Sequence, residues 1–521
     1  MLKKLFKPIT VGGATGILVV TSFISYAIGL LRDKIIAFHF GTSDLTDTYN
    51  ASFLIPDALF NLFIAGALAA AFMPVFSEYL LKDKKEAFKV ANTMLNSAIL
   101  VIGLLSIISF IFMDQIISLS FSEATPAMQQ DIINMTRMML FSSVVFTISN
   151  TIGNVLMSYK HFLSYSLSPI LYNAGIILGT IFLQDSIGIY SAAVGVLIGG
   201  IIHCLIRVVD LLFTDYKYKF EIEWKHPGFI EILKLMWPRA LSLLCWQVNL
   251  YIYSVVGIRL MEGGLAAFNY ARNIQSFAVS LFGISLATAI FPYLTSSASN
   301  KEMDVFTDKV QKTVQRILFF TIPSTVGLMM LSEPIIQLIL GGGEFDDNSV
   351  RLTSLILFFF SLSIPFESLS HILSRAFYAL KDTKTPMYIN LVSMAIMAFC
   401  TIYLAPKYGI EWFPIGFTIG FFFFIFMCVI LLARKLKDFK TKVFLTSIFK
   451  MLIANLVMAA VIQLSFNFQN YFPEKLFYLL QMIAGAASYF ITAILLKCSE
   501  VSNISYVINR VLKRPTDNEK L

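Results

Sequence analysis

Apolar runs long enough to cross a hydrocarbon core of about 30 Å recur fourteen times along this chain, and no other feature restricts its fold as tightly. They span approximately 9–32, 47–80, 88–113, 132–158, 162–184, 187–213, 229–258, 264–297, 313–332, 350–379, 386–405, 412–433, 443–466 and 475–497. In lipid the backbone must satisfy its own hydrogen bonds, so each run reads as a helix and the chain as an all-α polytopic membrane protein. A composition of 57% hydrophobic and 14% charged residues, with a mean hydropathy of +0.75, excludes an ordinary soluble domain. The runs 47–80, 229–258, 264–297 and 350–379 exceed one bilayer thickness and are expected to tilt, bend at proline or project. The first run follows Lys3, Lys4 and Lys7 and imitates a secretory signal, but it is too long and ends in charge, so it is read as helix 1.

Loop charge gives an independent check. Basic connections (Lys82, Lys84, Lys85 and Lys89; Lys160; Lys217, Lys219 and Lys225; Lys301, Lys309 and Lys312; Lys381 and Lys384; Arg434, Lys435, Lys437, Lys440 and Lys442) alternate with acidic or sparse ones such as Asp114 with Glu123, Asp185, and Glu333 to Asp347. Because cytoplasmic loops carry the excess of Lys and Arg, both termini are expected in the cytoplasm, the basic tail with Arg510, Lys513 and Arg514 included. The net charge of +8 then faces anionic lipid headgroups. No folded basic face suited to nucleic acid is indicated.

Two short patches repeat at one spacing. LAAAFMP at 68–74 returns as LATAIFP at 286–292, and PILYN with Pro169 and Asn173 returns as PMYIN with Pro386 and Asn390, at offsets of 218 and 217 residues. Helices 1–6 and 7–12 therefore read as two six-helix lobes related by an internal parallel repeat, with two C-terminal helices added. The expected divisions are 1–215, 216–440, 441–500 and a tail at 501–521. Parallel halves imply a transporter whose site lies between them, opened to each side in turn.

No enzyme signature competes with transport: GxxxxGK[ST], HExxH and GxSxG are all missing. The triple glycine at Gly341, Gly342 and Gly343 lies in an acidic outer loop with no lysine placed to hold phosphate, and reads as a flexible turn. Cys204, Cys245, Cys400, Cys428 and Cys498 lack paired spacing, so neither disulfides nor zinc is indicated, and no cofactor is expected. His371 reads as a packed histidine.

Ionisable groups inside the apolar runs are the candidate functional residues, because a charge in lipid is costly and usually faces a wet cavity or a bundle interior. The stretch 25–74 concentrates them: Arg32 beside Asp33, then Asp47, then Asp57 after Pro56, with Gly66 following. The bland alternative is that Arg32 snorkels to the interface. Arg239 and Arg259 lie near helix ends and read as interfacial. Gln247, Asn249 and Glu367 also sit in apolar runs. Glu367 is open to two readings, a proton or cation site and an interhelical hydrogen bond.

At this point the residues resemble a known family. SYAIGLLRDKIIAFHFG, TDTYNA and IPDALFNLFIAGALAAAFMP, together with EPIIQLILGGGEFDDNS and LSRAFYALKDTKTP, are similar to the MurJ (MviN) family, the lipid II flippases of bacterial peptidoglycan synthesis. The resemblance implies the multidrug/oligosaccharidyl-lipid/polysaccharide exporter fold, with two lobes, a V-shaped central cavity and a hydrophobic groove formed by the last two helices. It also implies a bacterial cytoplasmic membrane and lipid II, or a related undecaprenyl-pyrophosphate glycolipid, as partner. One chain carries both lobes, which suggests a functional monomer.

On that resemblance Arg32 and Asp33 fall on the family's helix 1 pair and Asp47 on its helix 2 aspartate. Arg32 would hold the pyrophosphate, since guanidinium bonds phosphate oxygens in a fork. Asp33 and Asp47 would orient arginines or gate the periplasmic side. The cavity set is completed by Asp57, Arg272 and Asn273. Glu367 and Asn390 are the candidates for monovalent cation or proton coupling. The chain departs from the family at Tyr26, Phe60, Asn61, Ala65 and Ser276. Arg272 comes one position earlier than the usual base, about 100° around the helix. With fewer cavity arginines, other readings stay open: export of another undecaprenyl-linked oligosaccharide or a small-molecule drug, or a non-transporting membrane scaffold.

Overall fold

The computed structural model describes residues 11–61, 67–436 and 440–501, and every regular element among them is a helix. In chain order the first ten are α1 (Val11–Phe40), α2 (Asp44–Ala51), α3 (Leu54–Phe60), α4 (Ala67–Lys82), α5 (Lys84–Ile111), α6 (Met113–Ser120), α7 (Pro126–Ser158), α8 (Leu163–Ile187), α9 (Tyr190–Leu211) and α10 (Pro227–Leu260). The remainder are α11 (Gly264–Ala278), α12 (Ser285–Ser299), α13 (Met303–Met330), α14 (Ser332–Ile339), α15 (Asp347–Ser361), α16 (Ile364–Ala379), α17 (Lys384–Phe399), α18 (Ala405–Tyr408), α19 (Trp412–Ala433), α20 (Thr441–Ser465) and α21 (Glu474–Leu495). Ten spans among the described residues are long and apolar enough to cross a membrane, or twelve if each of two bent pairs counts as one. The protein is a multi-pass membrane protein.

Several over-long runs are interrupted. The second becomes α2, α3 and α4. The tenth bends by 43° between α15 and α16, whose second residue is Pro365. The eighth passes through a π-helical turn at Val279–Ile284, where one extra residue per turn shifts the face presented to its neighbours. α13 and α14 meet at 80°.

By internal packing the chain divides into two compact units, Met1–Ala267 with Ile339–Ser349, and Phe268–Leu338 with Val350–Leu521. In the first unit α1 and α9 pack on α8, and α7 packs on α9. The α8–α9 contact is built on glycine. A methyl added at Gly175 or Gly199 would overlap the facing backbone, so the sequence spacings Gly175/Gly179 and Gly195/Gly199 let two helices meet along their main chains. The link 214–226 is strapped along α5: Tyr218 donates to Asn96 Oδ1 at 2.8 Å, Trp224 Nε1 donates to Ser97 Oγ at 2.9 Å, and Glu223 N donates to Thr93 Oγ1 at 3.1 Å. In the second unit α13 packs against α16, α12 and α20. The last two long helices, α20 and α21, pair with each other and close on α13, where Tyr489 donates to Phe319 O at 2.7 Å.

Just past the C-terminal end of α1, three backbone segments of the first unit converge. Glu344 N donates to Phe38 O at 2.9 Å, Thr42 Oγ1 donates to Ser349 Oγ at 2.7 Å, and Lys34 Nζ donates to Leu340 O at 2.8 Å and to Gly341 O. The triple glycine is thus a packed element, which corrects its reading as a flexible turn. Gly343 has φ +63°, and a methyl there would overlap Phe38 O. Gly263 has φ +70° and abuts Thr42 O in the same way. Gly263→Ala is therefore expected to lower stability by about 2 kcal/mol or more, combining a left-handed backbone with a backbone clash. Thermal melting of the purified protein checks this; a wild-type melting curve would show that the turn is loose.

Candidate cargo site

The apolar run of α1 ends in adjacent opposite charges, and the structure turns them toward each other. Arg32 donates from Nε at 3.0 Å and from Nη2 at 2.7 Å to Asp33 Oδ1, and from Nη1 at 3.0 Å to Asn173 Oδ1 on α8. Asn173 is itself aimed by the bond from its Nδ2 to Pro169 O at 3.0 Å. Asp33 is buried, while the Arg32 side chain keeps 25% of its surface. A guanidinium has five N–H groups; three are used among the described residues, so two, one on each Nη, are left to bond an oxyanion. Asn173 belongs to the repeated PILYN patch, yet its part in orienting Arg32 was not readable from the sequence.

The other sequence candidates are distributed differently. Asp47 is fully buried, and its Oδ1 accepts from Ala266 N at 2.7 Å, capping the first turn of α11, where backbone N–H groups lack helical partners. Asp57 is exposed to a cavity of about 330 Å³ in the first unit, also lined by Phe60, Asn150, Tyr172, His203 and Arg207. In the second unit, Arg272 donates to both oxygens of Glu367, from Nη1 at 2.9 Å and Nη2 at 2.8 Å. Gln275 donates to the same carboxylate at 2.9 Å, and the guanidinium lies over the Phe417 ring at 4.6 Å. The sequence-based candidates Arg272 and Glu367, placed in separate roles, are therefore one ion pair.

Asn273 is half-buried in that unit. Asn390 contacts Met394 Sδ at 3.8 Å through Nδ2. Arg259 pairs with Glu123 at 2.7 Å, both side chains being exposed. Gln247 and Asn249 are buried. The side chain of Arg239, together with Ala65, Gly66, Lys437 and the tail from 502 onward, lies outside the described residues. Among the described residues no group of three or more His, Cys, Asp or Glu side chains is placed to hold a metal ion.

Sequence reasoning missed Arg207. It is 2% exposed on α9 and among the described residues bonds only neutral groups: Ser168 Oγ from Nε at 3.0 Å, Ser149 O from Nη1 at 3.0 Å and Asn150 Oδ1 from Nη1 at 3.1 Å. The signal was present, because Arg207 and Asp210 interrupt the apolar run 187–213.

Comparison with known proteins bears on this site. The family model described as lipid II flippase MurJ matches residues 36–482. The chain belongs to the MurJ family. A lipid II flippase MurJ from Thermosipho africanus is 30% identical over 475 residues, covering 91% of this chain and 94% of the relative. A probable lipid II flippase MurJ from Thermotoga maritima is 28% identical over 486 residues, with 93% and 96% covered. A solved MurJ structure in an inward closed conformation aligns with a TM-score of 0.80 at 27% identity, over 92% of this chain and 98% of that one. An inward-facing MATE transporter of the MOP superfamily shares the fold, with a TM-score of 0.66 at 16% identity over 80% of this chain and 98% of that one. The MurJ model match starts just after Asp33, so the case for Arg32 as an anion donor rests on its own geometry.

Proposed function

We propose that this chain is a lipid II flippase, which moves the lipid-linked peptidoglycan precursor from the inner to the outer leaflet of the bacterial cytoplasmic membrane by alternating access. The observation that carries the reading within the MurJ family is Arg32, held by Asp33 and Asn173 with two N–H groups left over. A pyrophosphate-linked sugar has a hydrated anionic head that cannot cross hydrocarbon, and a tail that need not leave it. A guanidinium oriented in advance replaces part of the lost hydration without paying for reorientation at the moment of transfer.

Flippases of this family are transporters, so no covalent chemistry is assigned to the chain. The fold reading that goes with the proposal is fourteen spans, in which α1 and the interrupted segment α2–α4 join the twelve counted above. They form two six-helix repeats and a final pair, α20 and α21, that guides the lipid tail. Both termini would be cytoplasmic and the chain active as a monomer. Glu367 and Asn390 remain the coupling candidates, and Glu367 takes a proton or a monovalent cation only when Arg272 releases it. Asp47 would serve closure of one side through its cap on α11, and Arg272 with Asn273 would meet the cargo from the second unit.

The test is reconstitution. Vesicles carrying the purified protein and fluorescent lipid II are expected to expose inner-leaflet probe to an external quencher faster than empty vesicles. Drug efflux without any effect on lipid II would overturn the reading in favour of a drug exporter, and neither activity would favour a scaffold.

A further inference from the structure

The cavity of the first unit that holds Asp57 and Arg207 contains two opposite charges that do not meet. Arg207 is fixed in place by Ser168, Ser149 and Asn150, and its guanidinium carbon lies 4.9 Å from the centre of the Tyr165 ring. Its Nη2, with two N–H groups, has no protein acceptor among the described residues. Buried arginines are almost always matched by a carboxylate, because an unpaired charge is costly away from water. The carboxylate one turn away, Asp210, is already used: it accepts from Ser164 Oγ and pairs with His161 Nδ1 at 2.7 Å. Asp57, exposed to the same cavity, makes no side-chain hydrogen bond or ion pair among the described residues.

A protein that merely needed neutrality would let the two charges touch. Here the guanidinium is bound by three bonds to α7 and α8, and the carboxylate sits on α3. A ligand that carries its own charges apart can satisfy both. The space, about 330 Å³, is at the lower end of the usual range for small-ligand sites, about 300–1,000 Å³. Phe60, Phe146 and Tyr172 supply aromatic faces, which suit both aliphatic groups and an ammonium.

We propose that this cavity is a subsite for a zwitterionic peptide, with Asp57 taking the ammonium and Arg207 Nη2 the carboxylate. The identity of the source rests on the flippase reading, since the head of lipid II carries a peptide with amino and carboxyl groups. The position agrees: Tyr172 lines the cavity, and the next residue, Asn173, bonds Arg32. The pyrophosphate donor and the peptide subsite thus share one stretch of α8.

The probe is the tripeptide Ala-Gln-Ala, titrated by saturation-transfer NMR against the full chain in nanodiscs and compared with its N-acetylated and C-amidated forms. Asp57→Asn is expected to weaken the free tripeptide by about tenfold or more and to leave the N-acetylated form unchanged; Arg207→Gln should do the same for the free form while leaving the C-amide unchanged. If Arg207→Gln does not fold, Arg207→Lys takes its place, with the smaller loss expected of a charge that lacks the fork. Tighter binding of the N-acetylated form to Asp57→Asn would mean a plain anion pocket and overturn the proposal. So would equal loss of all three forms with a lowered melting temperature, which marks Arg207 as purely structural, or no saturable binding to the wild type. Lipid II translocation is measured separately. Peptide binding without translocation would sink the flippase reading and leave the site, whereas normal translocation by both variants with no peptide binding would sink the site alone.

Discussion

Arg32→Ala should reduce lipid II translocation by about 100-fold or more, the loss expected when two charge-assisted hydrogen bonds to an anionic head disappear at 1.5–3 kcal/mol each. The substitution also strands Asp33, which is buried and has Arg32 as its ion-pair partner. A transport defect alone could then reflect a disturbed α1. The double variant Arg32→Ala/Asp33→Asn removes the stranded charge and should recover most of the melting temperature while staying inert in transport. Arg32→Lys keeps the positive charge but cannot bridge Asp33 and Asn173 while presenting a fork, so an intermediate rate, about tenfold down, is expected. Asn173→Ala should fall in the same range, because it releases the Nη1 end of the guanidinium. The measurement is quenching of fluorescent lipid II in vesicles, with melting curves on each variant. Wild-type transport by the double variant would remove Arg32 from the mechanism.

The helices were legible because a bilayer sets one length and forbids unpaired backbone, so apolar runs announce themselves. What breaks a run is less legible. Nothing in TDTYNASFLIPDAL besides Pro56 marks the interruption between α2 and α3, and the π-helical turn at Val279–Ile284 has no signature in the sequence. Partners distant along the chain were hidden for a different reason. Lys34 and Gly341 are separated by 307 residues, and Arg272 and Glu367 by 95; a single sequence carries no sign of which charges will meet. The triple glycine shows how this misleads. Glycine marks freedom of the backbone and equally marks contact with another backbone, and only the position of Phe38 O distinguishes the two at Gly343. Conversely, Arg32 and Asp33 stood out as candidates from the cost of placing charge beside a long apolar run, since that cost is local.

Breaking the Arg272–Glu367 pair should be the largest stability effect in the second unit. Glu367 is 7% exposed and accepts two bonds from Arg272 and one from Gln275. Glu367→Ala leaves a guanidinium against Phe360 and Phe417 with no counter-charge, and removal of one partner of a buried pair costs about 3–5 kcal/mol. The double variant Arg272→Met/Glu367→Met should regain most of that loss, because two apolar side chains of similar volume need no counter-ion. Melting curves of the single and double variants in nanodiscs measure both quantities. A Glu367→Ala protein that melts like the wild type would mean that the pair contributes nothing to the fold and that the carboxylate is available to a solution ion. Transport by the double variant then separates structure from transport: a stable protein that translocates at the wild-type rate assigns Arg272 and Glu367 to structure, whereas a stable but inert one assigns the pair a part in transport, as a cargo contact or as a pair that opens during the cycle.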